Sequence, residues 1–357
     1  MQGVRAARLR GRSPAVEGGV SLIELMVGLA LGVVVVFALV TLFDNNSRAR
    51  RHVDQATQQI ENGRYALDLL RDDLHLAGYY GNAVPWQGIA TAAALATAPD
   101  VCATTVANLL FSATPTQWPV PVFGIAAGDA VPACVSGATG GHKAGTGILV
   151  VRRTKTIPTA IGGLVGASIY VQVSGCNAEL QQHKDFVVAL GSGGAGAFAL
   201  HARGCVNTAE VYEFQTRIYY VSNETVPTLR LLTLSGTTST NEPLVEGVED
   251  MRIEYGMDNV SGDGSPDVFR KCLSTENPPC STGAAAGANV PWANMMAVQV
   301  HLLARNIDIL VGHTDTKTYA LTSDPADTPA GPFNDSYKRH VYSAVVRLMN
   351  PAGRREL

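Results

Sequence analysis

Nineteen consecutive residues, Leu25 to Phe43, carry no charge and a single hydroxyl, Thr41. Coiled at about 1.5 Å per residue they make a helix of about 28 Å, close to the roughly 30 Å hydrocarbon thickness of a bilayer. A buried helix of a large soluble protein has the same composition. Its place near the N-terminus, between polar flanks, makes this run read as membrane-spanning. Any fold for the chain must begin from that helix.

Glu24 stands immediately before the run. A carboxylate at such a position costs a few kcal/mol unless it reaches the interface or finds a partner. Two readings stay open: Glu24 snorkels to the headgroups, or it meets a cation from a neighbouring chain. The preceding residues bear on the second reading. Gly18-Gly19 is a small-residue site suited to a protease, behind a short leader with Arg5, Arg8, Arg10 and Arg12. Cleavage after Gly19 would give Val20 a free ammonium able to pair with a Glu24 carboxylate of another copy, fixing the axial register of packed helices.

Gly19-Val20-Ser21-Leu22-Ile23-Glu24-Leu25 resembles the class III signal sequence of type IV pilins and type II secretion pseudopilins. The resemblance implies cleavage by prepilin peptidase after Gly19, N-methylation of Val20 and an assembly role for Glu24. Val20 departs from the commoner phenylalanine or methionine. An ordinary secretory signal would be cut after its apolar run, not before it. Gly28 and Gly32 form a GxxxG within the run, a site where another helix could pack closely. The run lacks the proline that many major pilins carry, which points away from the bulk filament subunit.

With no proline between Pro14 and Pro85, one helix is expected from Val20 to Ala77, about 87 Å if straight, with Gly78 as terminator. In its second half Val53, Ala56, Ile60, Gly63, Leu67, Leu70, Leu74 and Ala77 recur at steps of three and four, a stripe for docking a head domain. Asp73 and the other charged residues fall largely off that stripe.

Past Gly78 the pattern turns to β-like runs separated by Gly, Pro, Ser and Thr: 147–152, 167–173, 211–221, 228–234, 248–255, 296–303 and 340–348. Alternation such as Met251-Arg252-Ile253-Glu254-Tyr255 suits antiparallel sheet with one wet face. The expected fold class is α+β. A leader (1–19) is followed by the N-terminal helix (20–78, membrane span 25–43) and a β-rich head (79–357), while 85–145 and 259–292 read as loops.

Cys102, Cys134, Cys176, Cys205, Cys272 and Cys280 all follow the apolar run, widely spaced and without a CxxC pair, which suits disulfides in an oxidising compartment. Pairing of neighbours (102 with 134, 176 with 205, 272 with 280) is the expectation. The leader charges favour an internal N-terminus only narrowly over Arg48, Arg50 and Arg51. The cysteines place the head outside the inner membrane.

Removing residues 1–19 takes away four arginines and Glu17, moving the formal charge from −3 to −6. That acidic balance argues against a dominant nucleic-acid partner. Gly191 to Gly196 fits GxGxxG by letter but runs into a stretch with no long helix, so it reads as a turn. Asn259, Ser261, Asp263, Gly264 and Asp267 have some calcium-loop character, yet Arg270 stands where a bidentate glutamate belongs. The eight histidines form no HExxH, His201 near Cys205 makes a poor Cys-His pair if the thiol is oxidised, and no GxSxG occurs. No enzyme activity, metal or cofactor is expected.

Arg71 to Gly81 resembles the helix-end motif of the PilW group of minor pilins, Leu244 to Asp258 resembles a later segment of that group, and Arg339 to Asn350 sits where such chains end. The resemblance implies a minor pilin of a type IV pilus, acting in assembly initiation or at the tip. It would be anchored singly in the bacterial inner membrane with a periplasmic head, and then reach the pilus. The implied partners are other minor and major pilins, prepilin peptidase, the inner-membrane assembly machinery, membrane lipid and a tip adhesin. A minor pseudopilin of a type II secretion system, or a membrane-anchored adhesin or DNA-uptake pilin, are the alternatives.

Overall fold

The computed structural model describes residues 19–81, 99–109, 111–113, 116–258, 260–271, 295–325 and 327–353. The chain divides into a unit ending at Asp54 and one beginning at Gln55. Asn259, Cys272 and Cys280 lie outside the described residues, as do the leader arginines.

A single helix, α1, runs from Leu22 to His75. Nothing in its sequence removes a backbone donor, so the hydrogen-bond ladder continues from the apolar stretch into the charged one. It ends where Gly78 adopts φ +72° and donates its N–H to the Arg152 carbonyl at 2.9 Å. A side chain there would be strained in φ and would place its Cβ 3.1 Å from Pro121.

The Gln55–Leu357 unit is antiparallel throughout its paired strands. β1 (Ser112–Ala113) and β2 (Thr116–Gln117) pair only with each other. A seven-stranded sheet holds β3 (Val122–Ile125), β4 (Ile148–Thr154), β5 (Ile169–Val173), β6 (Phe186–Leu190), β7 (Val211–Val221), β8 (Thr228–Ser235) and β9 (Thr238–Glu246). β7 is its hub, pairing with β4, β5 and β8. A second sheet has the order β11 (Val268–Arg270), β10 (Val248–Met257), β12 (Met295–Arg305), β13 (Arg339–Arg347).

One apolar core joins these layers. Ala66, Leu70 and Leu74 of α1, with Ala77 just past its end, pack with Val150, Ile218 and Leu231 of the first sheet and Met251, Val300 and Val346 of the second. A separate aromatic core sits where the chain leaves α1: the Tyr80 ring stacks on Trp118 at 5.1 Å, with Phe111, Phe186 and Phe214 around them. Disulfides join Cys102 to Cys134 and Cys176 to Cys205.

Two sequence readings need correction. The buried stripe of α1 is Gln59, Gly63, Ala66, Leu70, Asp73 and Leu74, whereas Ile60 is 43 % exposed. Gly63, Leu70 and Leu74 are common to the expected and observed stripes, and Gln59 and Asp73 join them because the Ala304 and Lys338 carbonyls and the Arg153 and Arg217 guanidinium groups meet them there. The stretches read as loops also contain strands: 85–145 holds β1, β2 and β3, and 259–292 holds β11.

Candidate functional site: the N-terminal helix and its anchorage

In the unit ending at Asp54, Gly19 and Val20 precede the helix and are exposed. Ser21 is the residue before the first helical turn, and its N–H donates to Glu24 Oε2 at 3.1 Å while its carbonyl accepts from Leu25 N–H at 3.1 Å. This is the glutamate half of a capping box, in which the third helical residue reaches back to an unsatisfied backbone donor. The Ser-x-x-Glu spacing at 21–24 carries that signal, and the reading of Glu24 from membrane cost alone overlooked it.

The following stretch is a helix long and apolar enough to cross a membrane, with its large side chains exposed. Thr41 satisfies its hydroxyl on the Ala38 carbonyl at 2.8 Å. A Cβ added at Gly28 or Gly32 would meet no atom within 4 Å, so both glycines present open backbone.

In the other unit the remainder of α1 is pinned by polar contacts. Gln59 Nε2 donates to the carbonyls of Ala304 (2.8 Å) and Lys338 (3.0 Å), and Asn62 Nδ2 to that of Glu246 (3.1 Å). At Gly63 the Tyr342 ring lies so close that a Cβ would fall 2.3 Å from it. In the last turn of the helix, Asp73 takes Arg153 Nε at 2.6 Å on one oxygen and both Arg217 Nε and the Tyr219 hydroxyl at 2.8 Å on the other. Burial and the Asp73 charge both raise the Tyr219 pKa, which keeps the phenol protonated and donating. Burial alone would lower the pKa of Arg217, but Tyr219 and Asp73 more than offset it and raise it.

The other candidate sites resolve into structural features. Gly191–Gly193 is one short turn and Gly194–Ala197 a four-residue helix; a Cβ at Gly191 would sit 2.2 Å from the Val165 carbonyl, so packing explains the glycine. Asp258 and Asp267 accept N–H groups of Gly262, Gly264, Val260 and Ser261, closing the turn on itself. Among the described residues no group of three His, Cys, Asp or Glu is placed to hold a metal ion. Cys205 is in a disulfide, and His201 Nδ1 lies 2.7 Å from Glu179 Oε1.

Comparison with known proteins adds a family. Residues 218–350, from the middle of β7 through β13, match the family model described as Type IV Pilus-assembly protein W. No curated protein matches. Among solved structures, a type IV-like pilin from Thermus thermophilus aligns at 14 % identity and a TM-score of 0.28, over 58 % of this chain and 78 % of that one. The chain thus joins a long apolar N-terminal helix to antiparallel β-sheets with two disulfides among the described residues, and over 218–350 it is similar to the PilW family of type IV pilus-assembly proteins.

Proposed function

We propose that the chain is a minor pilin of a type IV pilus. It enters the bacterial inner membrane as a prepilin with a periplasmic head. Prepilin peptidase cuts it between Gly19 and Val20, and Val20 is N-methylated. The processed helix then packs among other minor and major pilins in the complex that starts the pilus or forms its tip, exposing the head to the exterior.

The observation that carries this reading is the order of features at the N-terminus. An exposed Gly19-Val20 bond, a helix start at Leu22, Glu24 on the first turn and an uninterrupted apolar face follow one another without a gap. A peptidase acting at the membrane surface needs the first of these, and helix packing inside a filament needs the last. Mass spectrometry of protein extracted from membranes tests it: the expected N-terminus is a methylated Val20. An intact Met1, or a cut far from Gly19, would refute processing. Immunogold labelling confined to pilus ends is the result expected for a tip or initiation subunit, and uniform labelling along the shaft would refute that position. Loss of twitching rather than of protein secretion on deletion separates this reading from a pseudopilin.

A further inference from the structure

Of the sheet edges among the described residues, all but one are blunted. β3 is four residues long, β11 three and β6 five. β9 carries Pro243 and a register shift against β8 between Leu229 and Arg230. Short strands, prolines and bulges are how sheets refuse further strands. β13 has none of these: it runs nine residues from Arg339 to Arg347, without proline, in unbroken register against β12 from Arg305 to Ala297. Its other side is open, since among the described residues it makes no backbone hydrogen bond outside the β12 ladder.

A cleft of about 450 Å³ lies along the start of this edge, lined in part by Ile60 and Arg64 of α1, Lys317, Lys338, His340 and Tyr342. Arg64, Lys317 and Lys338 are exposed and make no ion pair among the described residues. The one carboxylate of the lining, Asp315, is already taken by Arg339 Nη1 and the Tyr319 hydroxyl, each at 3.0 Å. The result is an apolar floor, a cationic rim and an unpaired strand edge at one place.

We propose that this cleft receives an extended acidic segment of a partner chain, which adds to β13 as a fifth strand while its carboxylates meet Arg64, Lys317 and Lys338. Main-chain pairing supplies the affinity in such strand addition and the flanking side chains supply the selectivity. A duplex nucleic acid would use the cations but not the open edge. The inference rests on β13 and the cleft, and holds whether or not the chain enters a pilus.

The test uses the full-length protein in detergent micelles and a fluorescent peptide about ten residues long, alternating glutamate with valine or threonine. Saturable binding is expected, about tenfold weaker for the lysine counterpart, for the acidic peptide with alternate amides N-methylated, and for the Lys317→Glu/Lys338→Glu variant. Circular dichroism would check that variant, whose two changes are at exposed side chains, for an intact fold. Slowed hydrogen exchange within 339–347 on binding is expected as well. Equal binding of the N-methylated peptide would reduce the site to charge attraction and overturn the proposal. So would an absence of saturable peptide binding, or tighter binding of a DNA duplex through the same lysines.

Discussion

Asp73 is the acid on which the inner end of α1 turns. Three donors converge on it, and two of them are guanidinium groups mostly hidden from solvent. Removing one partner of a buried charge cluster costs more than the cluster contributes, because the remaining charges lose both water and counter-ion. Asp73→Ala is expected to destabilise the protein by about 3 kcal/mol in denaturant titration, with Asp73→Asn in between. Gly63 offers a second test with opposing terms. Alanine in a helix gains up to about 1 kcal/mol over glycine, whereas forcing a methyl into the Tyr342 ring costs about 1–3 kcal/mol. Gly63→Ala is therefore expected to lower stability, and adding Tyr342→Leu to restore it. Gly63 was legible from its spacing, but Asp73 and Gln59 were not. A hydrophobic stripe shows which residues avoid water, not which polar ones will find buried partners on distant strands.

The elements divide by how much of their signal is local. β10 and β12 could be placed from the sequence within about two residues, but the wet face that their alternation suggests is absent: all but one residue of each is buried, and the polar Glu254 and His301 meet each other at 3.1 Å instead of water. β9, whose Thr-Ser-Thr-Asn-Glu-Pro run has no apolar face, is an edge strand held by its pairing with β8, so its strand character comes from a neighbour. β3 was hidden behind Pro119 and Pro121 for a related reason: its partner β4 lies beyond a long connection. On α1 the testable residue is Glu24. Replacing it by leucine removes the bond to the Ser21 N–H, worth about 0.5–1.5 kcal/mol at the helix start, and makes the apolar stretch longer. Membrane insertion and head stability are expected to persist, while the protein recovered with sheared pili falls sharply by immunoblot. Unchanged recovery would show that Glu24 serves only as a cap.

Over the whole molecule, the disulfides and one acid-sensitive pair set the conditions in which the β-rich part holds. Cys102 and Cys134 are 32 residues apart and pack against the main core. Replacing both by serine is expected to cost about 2–4 kcal/mol in denaturant unfolding, since the unfolded chain regains the freedom of that loop. Pairing of neighbours in sequence order describes the two disulfides among the described residues. Near the second, burial pushes the Glu179 carboxyl up, but hydrogen bonds from His201 and Ser174 outweigh it and hold the pKa at about 2, against an ordinary 4.5. A depressed folded-state pKa gives stability that is present above the unfolded value and is lost as protons bind. Acid unfolding should therefore steepen between pH 4.5 and about 2, and Glu179→Gln should flatten that part of the profile.

Gln59, Asn62 and Asp73 have a mechanical consequence. They fasten one helix to strands of both sheets at points spread over fifteen residues, or about 21 Å of helix. A pull along α1 loads these bonds together in shear, where they share the force, rather than one after another, as in peeling. Rotation about the helix axis is blocked as well, because any turn withdraws the Gln59 amide and the Asp73 carboxylate from their partners at once. The Gln55–Leu357 unit thus grips its helix as a keyed shaft, able to carry tension and torque without slipping.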